Sequence, residues 1–264
     1  MNRLTIRDLQ ELKQRGEKIA SLTAYDASFA RVLDEAGIEI VLVGDSLGNV
    51  LHGRDTTLGV SVDDMVYHTL AVSRATRRAH VVADMPFMSY AFPQRACENA
   101  ARLMGDAGAQ MVKIEGAGWV ADIVSELAMR GVPVCGHLGL TPQWVHKFGG
   151  YRVQGREPET AKTILSNAQI LVDAGIELLV LECVPADLAE QITGAVSVPV
   201  IGIGAGSACD GQVLVLHDVL GVSARIPRMA KNFLSGVDGV QDAVRSYIEA
   251  VKSGQFPAAD HTFE

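Results

Sequence analysis

Cysteine is scarce in this sequence of 264 residues, which has four cysteines and no CxxC pair. This spacing argues against a disulfide framework and against a structural zinc site. We therefore expect reduced thiols and a cytoplasmic protein. The four residues are Cys97, Cys135, Cys183 and Cys209.

Long apolar runs are also missing. No run approaches the roughly 20 residues that are needed to cross a bilayer. Residues 1–7 mix charged and apolar side chains, without the apolar stretch of a signal peptide. Basic residues are outnumbered, and the formal net charge of -8 argues against nucleic acid or an anionic membrane as a partner. We expect neither partner.

What the sequence does contain is one repeated pattern, an apolar strand that ends in a polar residue. Residues 41–43 are apolar and lead directly into Gly44, Asp45 and Ser46. A carboxylate at such a point must stay solvated or find a cation, because burying it unpaired is costly. The same pattern recurs along the chain, and the polar residues that end the later strands are Asp84, Glu115, His137 and Glu182.

Strand and helix patterns alternate about eight times with no internal boundary. Ala-Gly pairs at 36–37, 107–108 and 174–175 place a glycine just after a helix. The pattern predicts one domain over residues 1–264, a (β/α)8 TIM barrel with an N-terminal cover helix over 5–15. Residues 211–218 are predicted to hold the eighth strand. Residues 138–156 are predicted to be a long loop, which we interpret as a cover over the site.

The carboxyl ends of barrel strands carry the active site in this architecture. Asp45, Asp84 and Glu115 are therefore expected at one rim, where they would repel one another unless a divalent cation holds them. Oxygen ligands favour Mg²⁺ first and Mn²⁺ second. Glu115 would bind the ion directly or through water. The alternative for either aspartate is a helix cap or a loop hydrogen bond.

Three further residues of the rim each have two interpretations. Lys113 either forms a salt bridge with Glu115 or faces an anionic substrate, and both can hold together. Glu182 lies among apolar residues, which make a carboxylate a stronger base; the alternative is a carboxyl group tied to backbone. His137 is either a substrate or second-layer contact or a core histidine. The glycines of 202–206 resemble a phosphate cradle only weakly, and close packing is the alternative.

Taken together, the motifs resemble the ketopantoate hydroxymethyltransferase family. The resemblance covers nearly the whole chain, and the segments are highly specific as a set. They are Leu22–Asp26, Val43–Gly48, Tyr67–Thr69, Ala83–Met88, Met111–Gly116, Val134–Gln143, Phe148–Tyr151, Leu179–Pro185, Val200–Gly206 and Lys231–Phe233.

The resemblance implies a Mg²⁺-dependent barrel that moves a hydroxymethyl group from 5,10-methylenetetrahydrofolate to 3-methyl-2-oxobutanoate through a metal-stabilised enolate. The products would be 2-dehydropantoate and tetrahydrofolate, in the pathway to pantothenate and coenzyme A. The family also implies a homodecamer. It assigns roles to the rim as follows: metal ligands Asp45, Asp84 and Glu115, substrate contacts Ser46 and Lys113, and proton acceptor Glu182.

Two other functions remain open at this point. A Mg²⁺-dependent carbon–carbon lyase or phosphonomutase would share the acidic rim but would ignore the folate. A non-catalytic oligomeric barrel that binds a small anion would show no turnover, and Glu182→Gln would cost it no function.

Overall fold

The computed structural model describes residues 3–264, and in these residues eight parallel strands close into a barrel. Each strand pairs with the next one along the chain, and β8 pairs with β1. The predicted barrel is confirmed. The strands are β1 Ile19–Thr23, β2 Ile40–Val43, β3 His80–Asp84, β4 Met111–Glu115, β5 Val134–Gly139, β6 Leu178–Glu182, β7 Val200–Ile203 and β8 Gly211–Leu214.

Helices connect the strands and surround the barrel. Gly37 and Gly175 end two of them in the left-handed conformation, with φ of 93° and 106°, as the Ala-Gly pairs predict. The helices are α1 Ile6–Gln14, α2 Ala27–Ala36, α3 Leu47–Val50, α4 Val62–Ala75, α5 Pro93–Ala101, α6 Trp119–Ala128, α7 Val145–Phe148, α8 Pro158–Ala174, α9 Ala186–Ala195, α10 Leu216–Val219 and α11 Val240–Lys252.

Two hydrophobic clusters hold these layers together. The larger one lies between the strands and the surrounding helices. The smaller one joins Leu9 and Leu12 of α1 to strand residues that include Ile19, Ile40 and Met111. Thr5 caps α1 by a capping box with Asp8, which fixes the start of this helix. The strands alternate their side chains between the two clusters, because successive residues of a strand point to opposite faces.

Two predicted elements differ from the structure. The expected loop of residues 138–156 begins as strand, since β5 continues to Gly139, and then forms a 3-10 turn over Pro142–Trp144 that leads into α7. Proline suits the first position of a helical turn because its missing N–H is not needed there. The eighth strand ends at Leu214, and α10 follows from Leu216, whose backbone N–H donates to Thr23 Oγ1 at 3.0 Å.

Within the described part of the chain, every helix is too short or too polar to cross a membrane.

A buried tyrosine ties α11 to the seam where the barrel closes. Tyr247 is fully buried, and its hydroxyl lies 2.9 Å from the carbonyl oxygen of Ser21 in β1 and 3.0 Å from that of Gln212 in β8. Tyr247→Phe removes this donor, so we expect the free energy of unfolding to fall by about 1–2 kcal/mol. Urea unfolding measures the change.

Tyr67→Phe is the matched control, because Tyr67 is 72% exposed. It should leave the free energy of unfolding unchanged. Equal stability of the two variants would show that the seam does not depend on the Tyr247 hydroxyl.

Candidate active site

Strand register brings the predicted polar residues together at one rim. Asp84 of β3 pairs in register with Lys113 of β4, and Glu115 of β4 pairs with His137 of β5. Parallel strands of a barrel all end on the same side, so these side chains reach one place. A cavity of about 800 Å³ opens there, and all the predicted site residues line it: Asp45, Ser46, Asp84, Lys113, Glu115, His137 and Glu182.

Asp45 and Ser46 reach the rim from the turn that follows β2. The backbone N–H of Asp45 donates to Asp84 Oδ2 at 3.1 Å, so the two aspartates are neighbours. The Ser46 hydroxyl lies 2.8 Å from the Tyr25 hydroxyl. The absence of a side chain at Gly44 leaves room for the Ser46 hydroxyl, because a Cβ at this position would lie 2.8 Å from Ser46 Oγ.

Lys113 is the buried cation of the site. Its ammonium forms an ion pair with Asp84 and lies 3.7 Å from Glu115 Oε1. Burial alone would lower the pKa of Lys113, but the attraction of Asp84, Glu115 and Asp45 outweighs burial and raises it. The basic partner of Asp84, which no neighbour in sequence provides, thus comes from the adjacent strand.

The two aspartates hold more negative charge than Lys113 balances. Burial raises the pKa of Asp45 well above its usual range, and repulsion from Asp84 and Glu115 raises it further. Burial also raises the pKa of Asp84, although Lys113 opposes that change. An additional cation would therefore be stabilised beside these two aspartates.

His137 lies between the two glutamates of the rim and is 2% exposed. Its Nδ1 is 3.4 Å from Glu115 Oε1, and its Nε2 is 3.3 Å from Glu182 Oε2. Burial and Lys113 lower the pKa of His137, but the contacts with Glu115 and Glu182 outweigh them and raise it to about 9. Burial raises the pKa of Glu115, whereas His137 and Lys113 lower it more. His137 thus carries a second positive charge between two carboxylates near neutral pH.

The chemistry of the donor set fits a hard divalent ion. Within residues 3–264, no three His, Cys, Asp or Glu side chains are arranged to hold a metal without help. Mg²⁺ usually takes only one or two protein carboxylates and completes its shell with water and substrate oxygens. Asp45 and Asp84 can supply those two. Glu115 Oε1 is buried and lies 3.4 Å from His137 Nδ1 and 3.7 Å from Lys113 Nζ, without a hydrogen bond of good geometry to either.

Several residues near the site were not predicted. Gln143 and Tyr90 form a buried hydrogen-bonded pair beside Asp45 and Glu115. Pro142, which starts the short helical turn, is the local signal that places Gln143, but its partners lie far away in sequence. A further part of the cavity wall comes from Tyr151, the 222–230 segment and Phe263.

The glycines of 202–206 serve close packing here. A Cβ on Gly204 would lie 2.9 Å from the Phe263 ring, and one on Gly206 would lie 2.9 Å from Ala186 Cβ. The carbonyl of Phe263 also accepts a hydrogen bond from the Ala186 N–H at 3.1 Å. These residues let the C-terminal segment pack against the end of β7.

The fold and the site define a (β/α)8 barrel enzyme with an acidic cavity at the carboxyl ends of its strands. The sequence model of the family described as ketopantoate hydroxymethyltransferase matches residues 3–259. The chain therefore belongs to the ketopantoate hydroxymethyltransferase family, whose members are transferases.

Relatives from two bacteria are similar along their whole length. The 3-methyl-2-oxobutanoate hydroxymethyltransferase of Alteromonas mediterranea is 56% identical over 265 residues, covering 100% of both chains. The protein of the same name from Methylococcus capsulatus is 57% identical over 260 residues, covering 98% of this chain and 97% of that one.

Solved structures share the fold at much lower identity. A phosphonopyruvate hydrolase in complex with oxalate and Mg²⁺ has a TM-score of 0.62 at 10% identity and covers 82% of both chains. A structure described as a putative phosphonomutase from Burkholderia cenocepacia has a TM-score of 0.65 at 17% identity, covering 82% of this chain and 95% of that one. These similarities show the barrel alone.

The raised pKa of His137 predicts a stability that depends on pH. Because the pKa in the folded protein is about 9 and that of an unfolded histidine is about 6.5, folding binds the proton more tightly. The stabilisation is complete below pH 6.5 and is lost as pH rises through about 9. In the absence of metal, we expect the free energy of unfolding of the wild type to fall by on the order of 3 kcal/mol over this pH range. The free energy of unfolding of His137→Gln should not show this fall.

Urea unfolding at pH 6 and at pH 9.5 in the presence of a chelator measures this difference. The variant corrects for all other titrating groups. Parallel pH profiles for the two proteins would mean that His137 is not charged between the glutamates.

Proposed function

We propose that the chain transfers a hydroxymethyl group from 5,10-methylenetetrahydrofolate to 3-methyl-2-oxobutanoate, giving 2-dehydropantoate and tetrahydrofolate. The names of relatives that are 56% and 57% identical support the acceptor and the transferred group. The structural observation that carries the proposal is one cavity lined by carboxylates, an ammonium and an imidazole. Such a set can bind a 2-oxo acid and move a proton from its carbon.

Asp45 and Asp84 would hold Mg²⁺, and Glu115 would complete the site directly or through water. When bound, the ion would supply Lewis-acid polarisation of the 2-oxo acid and would stabilise the enolate charge left on deprotonation. The excess of negative charge around the two aspartates supports this assignment.

Ser46 and Lys113 would hold the carboxylate and the developing charge of the substrate. The Ser46 hydroxyl is oriented by its hydrogen bond with Tyr25. Lys113 is oriented by Asp84, and its raised pKa keeps it charged at neutral pH. His137 lines the same cavity and would contact the substrate while it bridges Glu115 and Glu182.

Glu182 would remove the proton from C3 of the substrate. Its side chain is 12% exposed, and one carboxylate oxygen lies 3.3 Å from Nε2 of the His137 imidazole. The electron pair of the broken C–H bond would form the new bond to the one-carbon unit of the folate. One of the two C–N bonds of that carbon would break as the C–C bond forms, and the second would break as water supplies the hydroxyl group. The proton taken up by Glu182 and the remaining proton of the water would go to the two nitrogens of tetrahydrofolate.

The cavity is large for a five-carbon acid alone. Its volume of about 800 Å³ is of the size that holds a drug-sized ligand. The wall formed by Tyr151, the 222–230 segment and Phe263 is the place where we put the folate. Tyr151 belongs to the 138–156 segment, which would exclude water from the reacting carbon.

The phosphonomutase or lyase alternative is less well supported than the transferase. The phosphonomutase and the phosphonopyruvate hydrolase share the barrel at 17% and 10% identity, whereas the transferases match more than half of the residues over the whole chain. Membership of a transferase family also argues against a non-catalytic barrel.

The setting of this reaction is proposed on the same basis. A place in the synthesis of pantothenate and coenzyme A, a cytoplasmic location and a homodecameric assembly follow from the family resemblance.

Exchange of the C3 proton for deuterium tests the proposed function. Wild-type protein with Mg²⁺ should exchange this proton of 3-methyl-2-oxobutanoate, as measured by proton NMR. Glu182→Gln should slow exchange by about 10²- to 10⁴-fold, because it removes the base, while the substrate still binds with Mg²⁺.

Glu177→Gln is a matched control, because Glu177 lies just before β6 and so on the opposite rim from Glu182. It should exchange at the wild-type rate. Unchanged exchange in Glu182→Gln would remove this residue as the base, and absence of exchange in the wild type would contradict the proposed reaction.

Metal dependence is tested on Asp84. Asp84→Ala should weaken Mg²⁺-dependent binding of 3-methyl-2-oxobutanoate by at least about tenfold, because it removes a proposed ligand and the nearest partner of Lys113. Isothermal titration calorimetry measures the affinity, with Asp122→Ala at an exposed helix position as the control. Wild-type affinity in Asp84→Ala would contradict the proposed metal site.

A further inference from the structure

Gln143 makes several polar contacts at the site, and no sequence pattern predicts them. It lies in the 3-10 turn at the base of the 138–156 segment and is 2% exposed. Its side-chain nitrogen lies 3.0 Å from Asp45 Oδ2 and 3.0 Å from the Met85 carbonyl oxygen. Its side-chain oxygen lies 2.7 Å from the Tyr90 hydroxyl. A buried amide with this many partners has one orientation.

The chemistry of the partners settles which end of the amide faces which group. The Met85 carbonyl can only accept a hydrogen bond, so the amide nitrogen must face it. The second N–H of that nitrogen then donates to Asp45 Oδ2. The amide oxygen is left to accept from Tyr90, whose ring is itself buried.

The contact fixes one oxygen of Asp45 and leaves the other one available. Within the described residues, Oδ1 of Asp45 accepts no hydrogen bond, whereas Oδ2 is held by Gln143. The amide is neutral, so it does not balance the charge of Asp45. What it does is restrict rotation of the carboxylate, so that Oδ1 keeps one direction.

The backbone of the same residue holds a second carboxylate. The N–H of Gln143 donates to Glu115 Oε2 at 3.0 Å. The other oxygen of Glu115 faces Lys113 and His137, at 3.7 and 3.4 Å. One residue therefore orients a carboxylate from the turn after β2 and another from the end of β4.

We propose that Gln143 is a positioning residue of the active site, which orients Asp45 and Glu115 for a divalent cation and the 2-oxo acid. This rests on the proposed function, because it assumes that the two carboxylates serve that ion. Tyr90 acts one step further away and holds the amide of Gln143. The base of the 138–156 segment is thereby joined to the carboxylates that it lies beside.

Partners that orient metal-binding carboxylates typically change metal affinity by about 10–100-fold when they are replaced. Gln143→Met keeps the length of the side chain and the backbone N–H to Glu115, and it removes the hydrogen bond to Asp45. We expect it to bind Mn²⁺, in the presence of 3-methyl-2-oxobutanoate, about 10–100-fold more weakly than the wild type. Electron paramagnetic resonance of free Mn²⁺ measures this affinity without turnover.

Gln212→Met is the matched control. Gln212 is 3% exposed, and its amide donates to the Gly206 carbonyl at 3.0 Å, away from the carboxylates. A loss of stability with unchanged Mn²⁺ affinity in this variant would show that losing a buried amide does not by itself weaken the site. Mn²⁺ affinity within twofold of the wild type in Gln143→Met would overturn the proposal.

Tyr90→Phe decides the question if Gln143→Met does not fold. It keeps Gln143 and removes the hydroxyl that donates to its oxygen, which also lies 3.3 Å from the Glu115 carbonyl oxygen. We expect Mn²⁺ affinity to fall by about threefold to tenfold. Unchanged affinity in this variant would count against a positioning role. A wild type that binds no Mn²⁺ would overturn the proposed function and this inference together, which distinguishes that result from a failure of Gln143 alone.

Discussion

The buried ammonium of Lys113 is the interaction on which the site depends. Carboxylates that are this deeply buried each cost several kcal/mol unless a cation and hydrogen bonds compensate. Lys113 pairs with Asp84 and lies near Glu115, and His137 supplies a second positive charge further along the rim. At the strand ends, the four carboxylates of Asp45, Asp84, Glu115 and Glu182 lie around two cations, Lys113 and His137. This local excess of negative charge favours a further cation beside Asp45 and Asp84.

The barrel could be predicted from the sequence because the patterns that indicate it are local. Apolar strands, helical periodicity and glycines after helices each occupy a few consecutive residues, and their repetition defines the architecture. The set of rim residues was predictable for the same reason: Asp45, Asp84 and Glu115 all end a recognisable strand. The short helical turn after β5 was less accessible, because its hydrogen bonds to the rim depend on tertiary packing.

The partners of each rim residue were harder to predict, since register decides them. Lys113 lies two residues before Glu115 in sequence, and yet its closest partner is Asp84 of the adjacent strand. Gln143 contacts Asp45, which is 98 positions away. Neither contact can be predicted from a short stretch of sequence. The residues that carry the chemistry were thus easier to find than the residues that hold them in place.

The closing seam between β1 and β8 determines how long one edge of β1 stays unpaired during synthesis of the chain. Residues 19–22 pair with residues 211–214, so β1 keeps one open edge until residues 211–214 have been synthesised. Unpaired strand edges promote aggregation of partly folded chains. Tyr247 bridges both strands from α11 and is synthesised later still, so this bridge forms only after α11 has been made. A truncated product that ends before β8 would leave one edge of β1 without its partner strand.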